Sequence, residues 1–112
     1  MGVLDQYRLD GQVAVVTGGG RGIGEAMARA LAEAGAAVVV AARRAAEVEA
    51  VAASINAGGG RALGIAADVT DPDAVEALAQ AAVDRFGSLS VWINNAGGSR
   101  YFGPLGNISA KD

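Results

Sequence analysis

Neither histidine nor cysteine occurs among the 112 residues. Their absence excludes Ser-His-Asp and Cys-His catalysis, imidazole and thiolate metal sites, and disulfides, and it leaves the redox compartment open. No metal site is read. Basic residues are also scarce: nine Lys and Arg stand against twelve Asp and Glu, for a formal net charge of −3 with no basic block. A nucleic-acid or anionic-membrane footprint is not expected. The longest purely apolar stretches are a few residues, far short of the ~20 that a membrane span needs. Met1 to Arg8 lacks the basic-then-apolar order of a signal peptide, and Gln6 stands where a myristoylation site wants Ser or Thr. The expectation is a cytoplasmic protein without membrane attachment.

What is present is core-forming material: 52% of the residues are hydrophobic and 19% charged, with 17 glycines. Val13-Ala14-Val15-Val16-Thr17 reads as a strand buried on both faces, and it runs into Gly18-Gly19-Gly20. From Ile23 the period becomes helical, with Ile23, Met27, Ala30, Leu31 and Ala34 as the expected apolar stripe and Gly35 as the stop. The pattern then repeats. Val38 to Val40 is a second buried strand, and Arg44 to about Ala57 is an alanine-rich helix with Val48, Val51 and Ile55 inward, ended by Gly58-Gly59-Gly60. Leu63 to Ala66 makes a weaker third strand, and Asp71-Pro72 opens a third helix with Val75, Leu78, Ala82 and Phe86 inward as far as Gly87. Leu89 to Ile93 is a fourth strand that leads into Asn94-Asn95-Ala96-Gly97.

Strands alternating with crossover helices predict an α/β fold: the N-terminal half of a Rossmann-type, doubly wound parallel sheet, with order 3-2-1-4 and three crossover helices. Residues 1–112 form one incomplete domain in this reading. Ser109 resembles a helix N-cap with Asp112 three residues on, so the chain is expected to stop where a further helix begins. In order 3-2-1-4 the fourth strand is an uncovered edge. Val91, Trp92 and Ile93 would then face solvent or a vacant helix position, and the isolated chain would dimerise, aggregate or pack loosely.

The glycine loop carries the chemistry. Glycines let the backbone turn sharply and approach a ligand closely, and the helix that follows aims N–H groups and its positive dipole end at that ligand. A P-loop is excluded, because Glu25-Ala26 follows Gly19…Gly24 where Lys-Ser/Thr is required. G-x-G-x-x-G fails as well, since Gly20-x-Gly22 leads to Glu25 and Gly18-x-Gly20 leads to Ile23. The spacing that fits is T-G-x-x-x-G-x-G, from Thr17 to Gly24.

That spacing, with Asp68-Val69 after the third strand and Asn94-Asn95-Ala96-Gly97 after the fourth, resembles the short-chain dehydrogenase/reductase family from about Arg8 to Asp112. It is most similar to the 3-oxoacyl-[acyl-carrier-protein] reductase-like group. The resemblance implies that Gly18, Gly20, Arg21, Gly22, Ile23 and Gly24 form the pyrophosphate and ribose site. It implies that Asp68 and Val69 bracket an adenine, and that Asn95, Ala96 and Gly97 pass beneath the cofactor, Asn94 and Asn95 also tying neighbouring strands together. Ser90 departs from the Asp of many relatives, which puts a local structural hydrogen bond in question.

The end of the second strand, Ala41-Ala42-Arg43-Arg44, has no carboxylate until Glu47. A carboxylate there would accept from a ribose 2′-OH, whereas Arg43, helped by Arg21, suits a 2′-phosphate. NADP(H) is therefore expected over NAD(H). The family's Y-x-x-x-K motif is missing: Gly11 follows Tyr7 and Leu105 follows Tyr101 at that spacing, and the one lysine is Lys111. No catalytic residue is assigned, and the chain alone is expected to be inactive. Two readings stay open. One is the cofactor-binding part of an oxidoreductase, homo-oligomeric at full length, that acts on a small-molecule carbonyl or alcohol. The other is a non-catalytic nucleotide-cofactor-binding or complementing interaction module.

Overall fold

An apolar, β-branched run without polar alternation has to be covered on both faces. The computed structural model, which describes residues 8–95 and 101–109, covers Val13–Thr17 in that way, with every residue of the run buried. This strand, β1, is followed by α1 (Gly22–Glu33), β2 (Ala37–Ala42), α2 (Ala45–Ala57), β3 (Arg61–Ala66), α3 (Pro72–Phe86), β4 (Ser88–Asn94) and β5 (Tyr101–Ser109). The sheet order is β3-β2-β1-β4-β5, with the first four strands parallel. The 3-2-1-4 order and the three crossover helices are as the sequence predicts.

Side chains alternate along β1 and β2, so each strand feeds two cores. Val16, Val38 and Val40 meet Ala28, Val48, Val51 and Ile55 on the α1–α2 side. Val13, Val15 and Val39 meet Leu78, Ala82 and Val83 of α3 on the other. Helix α3 starts where Asp71 accepts a hydrogen bond from the Asp73 N–H at 3.0 Å and Pro72 fills the first turn. It ends at Gly87, whose φ of +93° is left-handed backbone that a glycine adopts without penalty.

Helix α1 departs from its expected stripe. Gly24 and Ala28 are its buried residues, with Met27, Leu31 and Ala32 packed beside them, while Ala30 is exposed and Ile23 is 53% exposed. The rotation has a steric cause. Gly24 has to face the β1 end, because only a residue without Cβ fits there.

The edge of β4 is not uncovered. β5 pairs with it antiparallel, from Asn94↔Tyr101 to Ser88↔Ser109, so Ser109 lies in a strand rather than at a helix N-cap. Pro104 sits within β5, on the outermost strand, where a missing N–H is tolerated. Ile93 is 2% exposed, and Val91 and Trp92 are half-buried. The expectation of an apolar open edge is thereby corrected: unpaired N–H and C=O groups along β4 take a strand partner. At the opposite edge of the sheet, the Asn56 carboxamide accepts from the Ala62 N–H at 2.8 Å and donates to the Ala62 carbonyl at 3.0 Å, standing in for a neighbouring strand.

Ser90 keeps the local bond that its identity had put in question. The Val13 N–H donates to Ser90 Oγ at 3.1 Å, and the Ser90 hydroxyl donates to the Val13 carbonyl at 3.3 Å. A hydroxyl can serve both groups because it is donor and acceptor at once. Ser90→Ala leaves two buried backbone groups without this partner, which costs about 1–3 kcal/mol. Thermal denaturation followed by circular dichroism should show a midpoint lower by about 4–8 °C per kcal/mol lost. An unchanged midpoint would remove Ser90 from the account of how β1 and β4 are joined.

Candidate functional site

Thr17 ends β1, and the chain turns through Gly18 and Gly22, at φ +70° and +61°, into α1. The Gly18 and Gly19 N–H groups donate to the Ala41 carbonyl at 2.7 and 3.2 Å, which holds the loop against the end of β2. A Cβ on Gly24 would collide with the Gly18 carbonyl group and would stand 2.9 Å from Asn95 Nδ2. The first turn of α1 is thus pressed directly onto loop backbone. Arg21, the N-cap, has extended backbone and makes no capping hydrogen bond through its side chain. The first N–H groups of α1 are left for an outside acceptor, the arrangement that suits a phosphate.

The asparagines after β4 meet the same turn. The buried Thr17 hydroxyl donates to Asn94 Oδ1 at 2.9 Å and accepts from the Asn95 N–H at 3.2 Å, locking the carboxyl ends of β1 and β4 together. Asn95 Oδ1 is buried and is the one such side-chain atom without a hydrogen-bond partner among the described residues. An orphaned acceptor of this kind is open to a donor that the described residues do not supply. Ala96 and Gly97 lie outside the described residues.

Asp68 follows β3 and is held in an Asx turn. Its Oδ1 accepts from the Thr70 hydroxyl at 2.6 Å and from the Thr70 N–H at 2.9 Å, with the Arg43 guanidinium at 3.5 Å. The Thr70 hydroxyl, then its N–H, and less strongly Arg43 keep the Asp68 carboxyl below the usual carboxylate range, so it stays ionised. Val69 packs against the α3-side core, and Arg43 is exposed.

The register pairs Thr17 with both Ala41 and Asn94, and Ala42 with Ala66. This places the glycine loop, Arg43, Asp68 and Asn95 on one rim, at the carboxyl ends of β1 to β4. The chain reverses its winding between β1 and β4 there, where open α/β sheets bind ligands. Sequence reasoning gave no role to three contributors. Thr17 entered only as the first residue of the loop motif, and Thr70 could have been noticed as the second residue after an Asp. Glu47, brought back to the loop by the first turn of α2, had no signal beyond its position. A cavity of about 840 Å³ lies elsewhere, lined by Arg8, Asp10, Arg29, Glu33, Ser54 and Arg61.

Residues 12–112 match the family model for short chain dehydrogenases. The chain is 50% identical over 97 residues to an uncharacterised oxidoreductase of Mycobacterium tuberculosis, covering 87% of this chain and 37% of that protein. It is 50% identical over 109 residues to versicolorin reductase 1 of Aspergillus parasiticus, covering 96% of this chain and 41% of that protein. A solved 7α-hydroxysteroid dehydrogenase, in complex with NADH and 7-oxo glycochenodeoxycholic acid, superposes with a TM-score of 0.81 at 40% identity, covering 88% of this chain and 38% of that one. The chain therefore spans about two fifths of the length of the curated relatives it matches. With the loop, the rim and the sheet order in agreement, the chain belongs to the short chain dehydrogenase family.

Proposed function

We propose that this chain is the cofactor-binding part of an oxidoreductase that passes hydride between NADP(H) and a small carbonyl or alcohol substrate. The observation that carries the reading is the cradle between Gly18 and Gly24: backbone pressed on backbone, with an uncapped helix start and the orphaned Asn95 acceptor beside it. In this reading Gly18, Gly20, Arg21, Gly22, Ile23 and Gly24 surround the pyrophosphate and its ribose. Asp68 accepts from the adenine amine, Val69 lines that pocket, and Asn95, Ala96 and Gly97 pass beneath the cofactor. The bound nicotinamide supplies the hydride.

Arg43 favours NADP(H). It extends from the end of β2 with 74% of its side chain exposed, and the carboxylate beside it, Asp68, is already engaged by Thr70. A guanidinium so placed can form paired, charge-assisted hydrogen bonds to a 2′-phosphate. A cytoplasmic homo-oligomer is the setting proposed for the full-length enzyme. No helix among the described residues is long and apolar enough to cross a membrane.

Calorimetric titration of the chain at low salt should show tighter binding of NADP⁺ than of NAD⁺. Arg43→Ala should weaken NADP⁺ by about tenfold or more, the loss of a hydrogen-bonded charge, while leaving NAD⁺ nearly unchanged. Equal affinities in the unsubstituted chain would overturn the NADP(H) preference.

Turnover is a separate matter. Hydride delivered to a carbonyl leaves an alkoxide that needs a proton donor of suitable pKa, and losing such a donor costs about 10²–10⁴ in rate. The 112 residues contain no Tyr-x-x-x-Lys to supply one. The chain alone should leave NADPH absorbance unchanged with a panel of ketones. Robust turnover that disappears in Tyr7→Phe/Tyr101→Phe would make one of those tyrosines the acid and defeat this account.

A further inference from the structure

The first turn of α2 carries a carboxylate to the edge of the glycine loop. Glu47 Cβ stands 3.0 Å, and its Oε1 3.1 Å, from the point that a Cβ on Gly20 would occupy. Gly20 is buried, so its missing side chain is what admits Glu47 to this position. The Glu47 side chain is only 29% exposed, against 74% for both Arg43 and Arg44. It lies in the first turn of α2, with the Arg44 guanidinium no nearer than 3.9 Å. Its position is therefore set by packing against the loop.

We propose that Glu47 is a specificity-determining residue of the cofactor site, opposing the preference for a 2′-phosphate that the arginines create. The inference rests on the cofactor reading given above. Around the outer side of the loop, Arg21, Arg43 and Arg44 carry positive charge, and Asp68 and Glu47 carry negative charge. Asp68 is engaged by Thr70 and Arg43. Glu47 is partly withdrawn from water, so its field is screened less than that of an exposed acid. A phosphate dianion is repelled by it, whereas a ribose hydroxyl can donate to it. Selectivity at this rim is then a balance of charges on two elements, the end of β2 and the first turn of α2.

The test compares NADP⁺ and NAD⁺ binding by calorimetry in the unsubstituted chain, Glu47→Gln and Glu47→Asp. Glu47→Gln keeps the shape against Gly20 and removes the charge. It should raise the NADP⁺-to-NAD⁺ affinity ratio by about three- to tenfold at low salt, the size of one unit charge acting across several ångströms of partly hydrated site. The gain should shrink as salt is added. Glu47→Asp keeps the charge and should hold the ratio near that of the unsubstituted chain. An unchanged ratio in Glu47→Gln, or equal shifts in both variants, overturns the role of Glu47 while leaving the cofactor reading in place. Failure of the unsubstituted chain to bind either dinucleotide overturns that reading and this inference together.

Discussion

The contact between Gly24 and the Gly18 carbonyl sets the geometry of everything around it. It forces the first turn of α1 down onto the end of β1, which turns Ala28 and Leu31 toward the sheet and leaves Ile23 outside. It also brings the helix against the Asn95 carboxamide, so that the β1 turn and the segment after β4 share one wall. A side chain at position 24 could not be relieved by a rotamer change, because the two nearest atoms it meets are Gly18 backbone. The same closeness sets the N–H groups of a helix start beside the bare backbone of Gly18, Gly19 and Gly20.

Polar side chains complete the sheet where backbone alone does not. Ser90 serves both hydrogen-bonding groups of Val13 at the start of the β1–β4 pair, and Thr17 ties the other end to Asn94 and Asn95. Asn56 does the same for Ala62 on the outer edge of β3. Each case pairs a short side chain with groups whose burial without a partner would cost more than an ordinary hydrogen bond contributes. The strands are consequently pinned near both ends, and the valine layers between them supply the bulk of the apolar burial.

Much of this was legible in the residues because the strongest signals are local. The runs Val13–Thr17 and Val38–Val40 have no reading other than buried strand, and Asp71-Pro72 and Gly87 mark the limits of α3 by their own backbone chemistry. The rotation of α1 was not legible. Alanine and glycine occupy most of its faces, and small residues fit either side of a helix, so a large residue such as Ile23 misleads when its neighbour is held by a steric demand from another element. Strand β5 carries Gly103, Pro104 and Gly106, which weaken any strand signal, and it forms because β4 offers a row of unpaired groups. In the candidate site, the glycines were found by their spacing, Arg43 by the lack of a carboxylate at the end of β2, and Asp68 and Asn95 through the family resemblance. Thr70 and Glu47 required the folded turns that bring them to Asp68 and Gly20.

Empty volume and unmet hydrogen-bonding capacity lie at opposite ends of the strands. The cavity of about 840 Å³ holds three arginines, yet Arg8 donates to the Glu33 carbonyl at the end of α1 at 3.1 Å, and Arg29 bridges Glu25 and Ser54 across the two helices. Those cations answer carbonyl ends and neighbouring side chains of the protein itself, as cations near helix C-termini do. The rim at the other end of the strands holds unmet capacity: a helix start without a side-chain cap, a buried acceptor with no donor among the described residues, and two arginines only loosely engaged by neighbouring carboxylates. Binding energy comes from groups that water or a ligand has still to satisfy, and in this fold those groups collect where the β1 turn, the β2 and β3 ends and Asn95 meet.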